Sequence, residues 1–318
     1  LSETFPYLKS AGKAQFVDRH VRKAGELLQQ RESASVTLLG APLSKSSISH
    51  SGALLAPTTI RTMLHSYSTY SIEEEIELDD IQIADLGDIC MHPTDIIGSQ
   101  SRIYETVSAV TEKYPDSLFV LLGGDHSVSY PSIKGFSTKK GAVGVIQFDA
   151  HHDLRNLEDG GPTNGTPFRS LVESGVMKGE HLVQIGIRDF SNSKPYSDFA
   201  KEHGVKVYTM KEVASMSISS IVKESVACLK NKVDAIYISV DMDVLDQAFA
   251  PGCPAIGPGG MDSATLLEAI MLLGKEEMVQ GMDIVEIDPT LDFRDMTSRV
   301  AAHVILTFLK GKKKAQLL

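Results

Sequence analysis

Residues 143–155 read VGVIQFDAHHDLR. The first part is almost continuously apolar, the pattern of a strand buried on both faces, as in a parallel sheet. It stops in Asp149, His151, His152 and Asp153. Four ionisable groups in five positions repel or desolvate one another unless something binds them. The reading of this stretch decides both the fold class and the chemistry.

Similar runs recur along the chain: VTLLGAP (36–42), IQIADLG (81–87), LFVLLGG (118–124), LVQIGIRD (182–189), VKVYTM (205–210), AIYISVDMD (235–243) and MDIVEIDP (282–289). Amphipathic segments separate them. IYETVSAVTEKY places Ile103, Val107, Val110 and Tyr114 at helical spacing. DSATLLEAIMLLGK opens on Asp262 or Ser263 as a helix cap, and MTSRVAAHVILTFLK follows a capping Asp295 or Thr297. Strand alternating with helix predicts an α/β fold with helices on both faces of an eight-stranded parallel sheet, a closed barrel being the alternative. With no repeat, low-complexity tract or linker, residues 1–318 read as a single domain. No GxGxxG follows the first strand and no GxxxxGK[ST] occurs, so nucleotide binding has no support.

Composition narrows the partners. A net charge of −10 argues against nucleic acid or an acidic membrane surface, which require a basic face. No apolar stretch reaches the roughly 20 residues of a membrane helix. LSETFPYLKS lacks the basic and apolar regions of a leader. Cys90, Cys228 and Cys253 are scattered, without CxxC spacing, which fits a reducing cytoplasm; Cys253 is expected to pack structurally.

Ligands of parallel sheets bind at the carboxyl ends of the strands. After LFVLL comes Gly123-Gly124-Asp125-His126-Ser127; after VIQF, Asp149-Ala-His151-His152-Asp153; after YISV, Asp241-Met-Asp243; after MDIV, Glu286-Ile-Asp288. On an extended segment Asp149, His151 and Asp153 project to one side and His152 to the other. Asp241 and Asp243 share a side in the same way. With His126 the set is two imidazoles and four carboxylates. That is too many oxygens for one structural zinc, and it suits a pair of harder cations such as Mn²⁺. Two such ions about 3.5–4 Å apart hold a hydroxide that is nucleophilic at neutral pH.

These residues resemble the metal segments of the ureohydrolase family, which includes arginase, agmatinase, guanidinobutyrase and formimidoylglutamase: GGDHS (123–127), DAHHD (149–153) and SVDMDVLD (239–246). The resemblance runs from about residue 36 to 309 and implies a three-layer α/β/α fold on an eight-stranded parallel sheet. It implies two Mn²⁺ per chain, one held by His126, Asp149, Asp153 and Asp241 and the other by Asp149, His151, Asp241 and Asp243, with Asp149 and Asp241 bridging. Glu286 matches the acidic residue facing the amidine or guanidine group, and Asp153 also passes a proton to the leaving amine. Family members are often trimers or hexamers.

The loop after DAHHD carries the substrate reading. It has Asn164-Gly165-Thr166 where arginase commonly has His-Gly, so a histidine proton shuttle is not matched. Arg155 falls where arginase contacts the substrate carboxylate, and a guanidinium there suits an anionic, amino-acid-derived substrate. Asn164, Thr166 and Arg188 are further candidate substrate contacts, Arg294 a weaker one. Within the family, NLEDGGPTNGTPFR, GIRDFSNS and DVLDQAFAPGCPAIGPGG resemble the formimidoylglutamase branch, which cleaves N-formimidoyl-L-glutamate to glutamate and formamide. The rival is an agmatinase or guanidinobutyrase releasing urea. More distant rivals are a one-zinc deacetylase using His151 and His152, and a binding protein that keeps the fold without catalysis.

Overall fold

The computed structural model describes residues 18–318. The segment LSETFPYLKS lies outside the described residues. In chain order the strands are β1 (Leu28–Gln29), β2 (Val36–Ala41), β3 (Tyr70–Ser71), β4 (Ile76–Glu77), β5 (Ile83–Asp88), β6 (Leu118–Gly123), β7 (Val143–Phe148), β8 (Leu182–Ile187), β9 (Lys206–Thr209), β10 (Ala235–Asp241) and β11 (Val279–Val285). β3 and β4 make a small antiparallel ribbon. The rest form one open sheet in the order β1-β5-β2-β6-β11-β10-β7-β8-β9, with every neighbouring pair parallel.

The sheet therefore has nine strands among the described residues, not the expected eight. The addition is β1, two residues paired alongside Ile83 and Ala84 at one edge. It is too short to leave an apolar pattern in the sequence. β11 also begins at Val279 rather than Met282: Gln280 and Gly281 interrupt the apolar run, and the pairing with β10 continues past them through a register shift at Gln280.

Side chains alternate between two apolar layers, as strands covered on both faces require. Leu118, Val120, Leu122, Ile146, Phe148, Ile236 and Ile238 pack with the helices Ile218–Leu229, Ser263–Gly274 and Met296–Lys314. Phe119, Leu121, Val143, Val145 and Tyr237 face the opposite way, against Ile103, Val107, Ile133, Phe136 and Phe168. Each fully buried side chain of this kind contributes about 1.5–3 kcal/mol, which offsets the cost of burying charge at the sheet edge.

Asp262 caps its helix as expected, accepting from Thr265 N at 2.8 Å. The last helix departs from expectation. Neither Asp295 nor Thr297 caps Met296–Lys314; the Asp292 carboxylate accepts from Thr297 N and Ser298 N, each at 2.9 Å. Arg294 and Asp295 both lie in the left-handed region, and that double turn carries Asp292 over the free N–H groups. At the centre of the sheet, β6, β11, β10 and β7 are consecutive neighbours. Their carboxyl ends are the four that carry acids and histidines.

Candidate metal centre

One local device turns the chain at three of these ends. Asp125 Oδ1 accepts from Ser127 N (3.0 Å), Asp149 Oδ1 from His151 N (2.6 Å) and Asp241 Oδ1 from Asp243 N (2.9 Å). These Asx turns end β6, β7 and β10. They correct the expectation that 149–153 and 241–243 stay extended, because the aspartate side chain captures the N–H that a ladder would need. At Gly124 the backbone runs so close to Leu43 that a Cβ would collide with the Leu43 carbonyl oxygen. Asp153 and Glu286 adopt left-handed backbone, at φ 51° and 61°. Such conformations cost about 1–3 kcal/mol for non-glycine residues and concentrate at functional sites.

The turns bring the six expected ligands together in two groups that share Asp149. In the first, His126 Nδ1 lies 2.8 Å from Asp153 Oδ2 and 3.1 Å from both Asp149 Oδ2 and Asp241 Oδ2. In the second, His151 Nδ1 lies 2.9 Å from Asp243 Oδ2 and 3.4 Å from Asp149 Oδ1. Asp241 stands in the first group only, its Oδ1 being taken by the Asp243 N–H.

The donor set fits metal ions. His126 Nδ1 is buried and makes no hydrogen bond, although three carboxylate oxygens surround it. A single N–H points one way and cannot serve three acceptors; a point charge serves all four atoms. The other ring nitrogen settles the tautomer. Nε2 sits 2.9 Å from Ser239 Oγ, whose hydroxyl donates to Asp283 Oδ1 at 2.7 Å. Nε2 therefore carries the proton and Nδ1 presents its lone pair, the arrangement typical of a metal-binding imidazole.

The electrostatics show the same excess of negative charge. Burial opposes protonation of both imidazoles, yet the surrounding carboxylates hold His126 well above its ordinary range and push His151 up to about 12. Burial and the Asp149 charge push Asp153 up to about 6. Burial, Asp243 and Asp149 raise Asp241 well above the carboxylate range. Asp149 moves the opposite way: burial is outweighed by His126 and His151, which hold it below that range. Cations in the cluster would replace these protons as the compensating charge.

Glu286 stands beside the first group. Its Oε1 accepts from His126 N (2.8 Å) and Asn164 Nδ2 (3.0 Å). Among the described residues Oε2 takes no such bond, which leaves it for an amidine. Burial and the nearby Asp125 push this carboxyl up to about 8.

The expected substrate contacts divide. Asn164 is a brace: besides Glu286 it accepts from Ile48 N at 3.0 Å and donates from its backbone N–H to Ser46 O at 3.0 Å. Thr166 is corrected. It is buried, and its hydroxyl donates to Thr163 O (2.9 Å) and accepts from Thr163 N (3.0 Å), closing the turn before helix Pro167–Glu173. Arg188 is 7% exposed and lines an open cleft that reaches His151. Its Nη1 donates to Leu245 O (3.4 Å) and Gly257 O (3.2 Å), and no ion pair with Asp189 forms among the described residues. Arg155 is exposed, its aliphatic stem packed at Gly165 and its backbone N–H bonded to Gly165 O at 2.9 Å. Arg294 is exposed on the left-handed turn before the last helix. Cys253 is buried and unpaired, as expected of a packing residue. His152 turns away from the cluster as expected.

Sequence reasoning missed Asp125, Ser239, Asp283, Gln147 and Gln184, all buried around the ligands. A signal existed for the last four. Each is a polar residue inside a run otherwise apolar on both faces, which demands a specific partner.

A family model for the arginase family matches residues 34–310. This chain belongs to the arginase family. It is 65% identical to the formimidoylglutamase of Halalkalibacterium halodurans, over 97% of each chain. The crystal structure of formimidoylglutamase from Bacillus subtilis shares its fold at a TM-score of 0.94 and 51% identity, again over 97% of each chain. Similarity to the agmatinase of Bacillus subtilis is lower: 32% identity, covering 88% of this chain and 92% of that one. The arginase-family membership agrees with a metal-dependent hydrolase, and the candidate ligand cluster stands at the carboxyl edge of the sheet.

Proposed function

We propose that this chain hydrolyses N-formimidoyl-L-glutamate to L-glutamate and formamide, a step of histidine degradation, using two Mn²⁺ ions. The reaction class rests on the two ligand groups sharing Asp149. The substrate rests on one observation, the similarity to formimidoylglutamases over nearly the whole chain. Asp149, Asp153, Asp241 and Asp243 carry four negative charges beside two imidazoles, which two divalent cations balance. The mix of carboxylates with imidazole suits manganese: His126, Asp149, Asp153 and Asp241 would hold one ion, and Asp149, His151 and Asp243 the other. When bound, the ions supply a hydroxide at neutral pH and draw off developing charge.

The chain's own groups do the rest. Glu286, fixed through Oε1, presents Oε2 to the amidine nitrogen and stabilises the positive charge that grows there. Asp153, next to His126, takes the proton of the attacking water and returns it to the glutamate nitrogen as the C–N bond breaks. Arg155 at the rim, with Arg188 in the adjoining cleft, attracts the carboxylates of the substrate. Asn164 serves by holding Glu286. The reading of residues 1–318 as a single catalytic domain rests on one sheet carrying all the ligands. A cytoplasmic location fits the three unpaired cysteines.

The test is a product assay on manganese-loaded protein given N-formimidoyl-L-glutamate or agmatine. Glutamate release from the first and no urea from the second is expected; urea from agmatine without glutamate release from the first would sink the proposal. Arg155→Ala should raise KM for the anionic substrate roughly tenfold at low salt, with kcat little changed, since it removes attraction equal in ground and transition states. Because the group is exposed, the effect should shrink as salt is added. A KM unchanged at low salt removes Arg155 from the site.

A further inference from the structure

Four of the buried polar residues form one row across the sheet. Asp283 on β11 registers with Ser239 on β10, Ser239 with Gln147 on β7, and Gln147 with Gln184 on β8. All four are 0% exposed. Strand side chains repeat every second residue, so Ser239 and Gln147 lie directly beneath the ligands Asp241 and Asp149. One end of the row is explained: Ser239 and Asp283 hold His126. The other end is not used by anything described so far.

At that end each amide has a defined partner. Gln147 Nε2 donates to Asp149 Oδ2 (2.6 Å) and to the His151 carbonyl (3.2 Å). Gln147 Oε1 accepts from Gln184 Nε2 (2.6 Å), which also donates to the His152 carbonyl (2.8 Å). Gln184 Oε1 lies 2.7 Å from His152 Nδ1, and His152 Nε2 lies 3.1 Å from Ser197 Oγ. Since Gln184 Oε1 only accepts, His152 Nδ1 donates. The direction of every bond follows: Ser197 gives to His152, His152 to Gln184, Gln184 to Gln147, Gln147 to Asp149. Fully satisfied buried networks are rigid, and partly satisfied ones are costly.

The contacts are specific to the shared carboxylate. Asp149 Oδ2 is the oxygen that faces His126 Nδ1, and Oδ1 is held by the His151 N–H. With Gln147 on Oδ2 and His151 N on Oδ1, the carboxylate plane cannot rotate. The two carbonyls gripped by the amides belong to His151 and His152, so the turn that carries His151 toward the second group is fixed as well.

We propose that the Gln147–Gln184 amide pair is a positioning device that sets Asp149 and the 149–153 turn for metal capture. The pair touches no substrate and acts through Asp149. This rests on the reading of the cluster as a metal site but not on the identity of the substrate. It also assigns a task to His152: it links Ser197 to Gln184 in the chain of hydrogen bonds rather than binding metal.

The experiment measures Mn²⁺ dissociation constants by calorimetry on wild type, Gln147→Met and Gln147→Asn, each stripped of metal, with thermal unfolding as the check on folding. Met keeps the volume and removes all three hydrogen bonds of the Gln147 amide; Asn keeps an amide but withdraws it by one methylene and is the gentler change. Loss of ligand-orienting partners typically weakens metal binding about 10–100-fold. That loss is expected for Gln147→Met, with a smaller loss for Gln147→Asn. Activity at saturating Mn²⁺ should return toward wild type with KM unchanged, a split that general destabilisation would not produce. Manganese affinity within twofold of wild type in a folded variant overturns the proposal; if Gln147→Met does not fold, Gln147→Asn decides it alone. Failure of wild type itself to bind Mn²⁺ would instead overturn the metal-site reading, so the two failures are distinguishable.

Discussion

Asp149→Asn should abolish loading of both metal positions and lower kcat/KM by at least a thousandfold, about 4 kcal/mol of transition-state stabilisation. Asp149 is the one carboxylate common to both ligand groups. The amide keeps the oxygen that accepts His151 N–H, so the Asx turn ending β7 survives. It fails at the other position. Where Oδ2 faces His126 Nδ1 and accepts from Gln147 Nε2, the variant presents an NH₂ toward Gln147's own donor. The shared ligand is lost while the fold is kept. Elemental analysis of the purified variant, alongside its thermal unfolding, checks this directly. Asp243→Ala is the internal contrast. It touches the second group only and should leave about half the metal while removing most activity. Full manganese content in folded Asp149→Asn would contradict the assignment.

Glu286→Gln has the second large effect, and it acts in opposite directions on activity and stability. The isosteric amide keeps Oε1 as acceptor for His126 N and Asn164 Nδ2. It loses the negative charge offered to the amidine, which should lower kcat about 10²–10³-fold, the usual effect of removing one preorganised electrostatic group. Stability follows from the titration. Burial and Asp125 raise the carboxyl from 4.5 to about 8 in the folded, metal-free protein. Between those values the folded state keeps a proton that the unfolded chain has released. Stability therefore falls as pH rises through that window. The amide does not titrate, so the variant should show a flatter profile and unfold at higher temperature than wild type near pH 8. The difference is at most a few kcal/mol, since each tenfold change in proton affinity corresponds to about 1.4 kcal/mol. Identical pH profiles for the two metal-free proteins would show that Glu286 does not titrate in this window.

These predictions draw on residues of different legibility. The six candidate ligands and Glu286 could be read from the chain because each follows an apolar run, and ligands of parallel sheets bind at the carboxyl ends of the strands. Asn164 could be named but not understood, since its partners Ile48, Ser46 and Glu286 lie far away in sequence. Thr166 misled because a threonine in a polar loop looks the same whether its hydroxyl faces a ligand or its own turn. The capping of the last helix by Asp292 depended on two left-handed residues that no side-chain pattern announced. Gln147, Gln184, Ser239 and Asp283 left the faintest trace, each a polar residue between two apolar neighbours in a buried strand.

By itself the sequence determined the strand-and-helix alternation, the burial of the strands on both faces, and which acids and histidines follow the strands as candidate ligands. Those are local matters, set by hydrophobic periodicity and residue type. It could not determine strand order. Only the tertiary structure makes β6, β11, β10 and β7 neighbours, and so gathers ends separated by as much as 160 residues, as between His126 and Glu286. The physical reason is that register and adjacency come from pairings between distant segments, whose partners are chosen by packing across the whole sheet. The same pairings align Asp283, Ser239, Gln147 and Gln184 beneath the ligands. Scattered polar residues in the chain thereby become a single layer that orients the shared carboxylate of VGVIQFDAHHDLR.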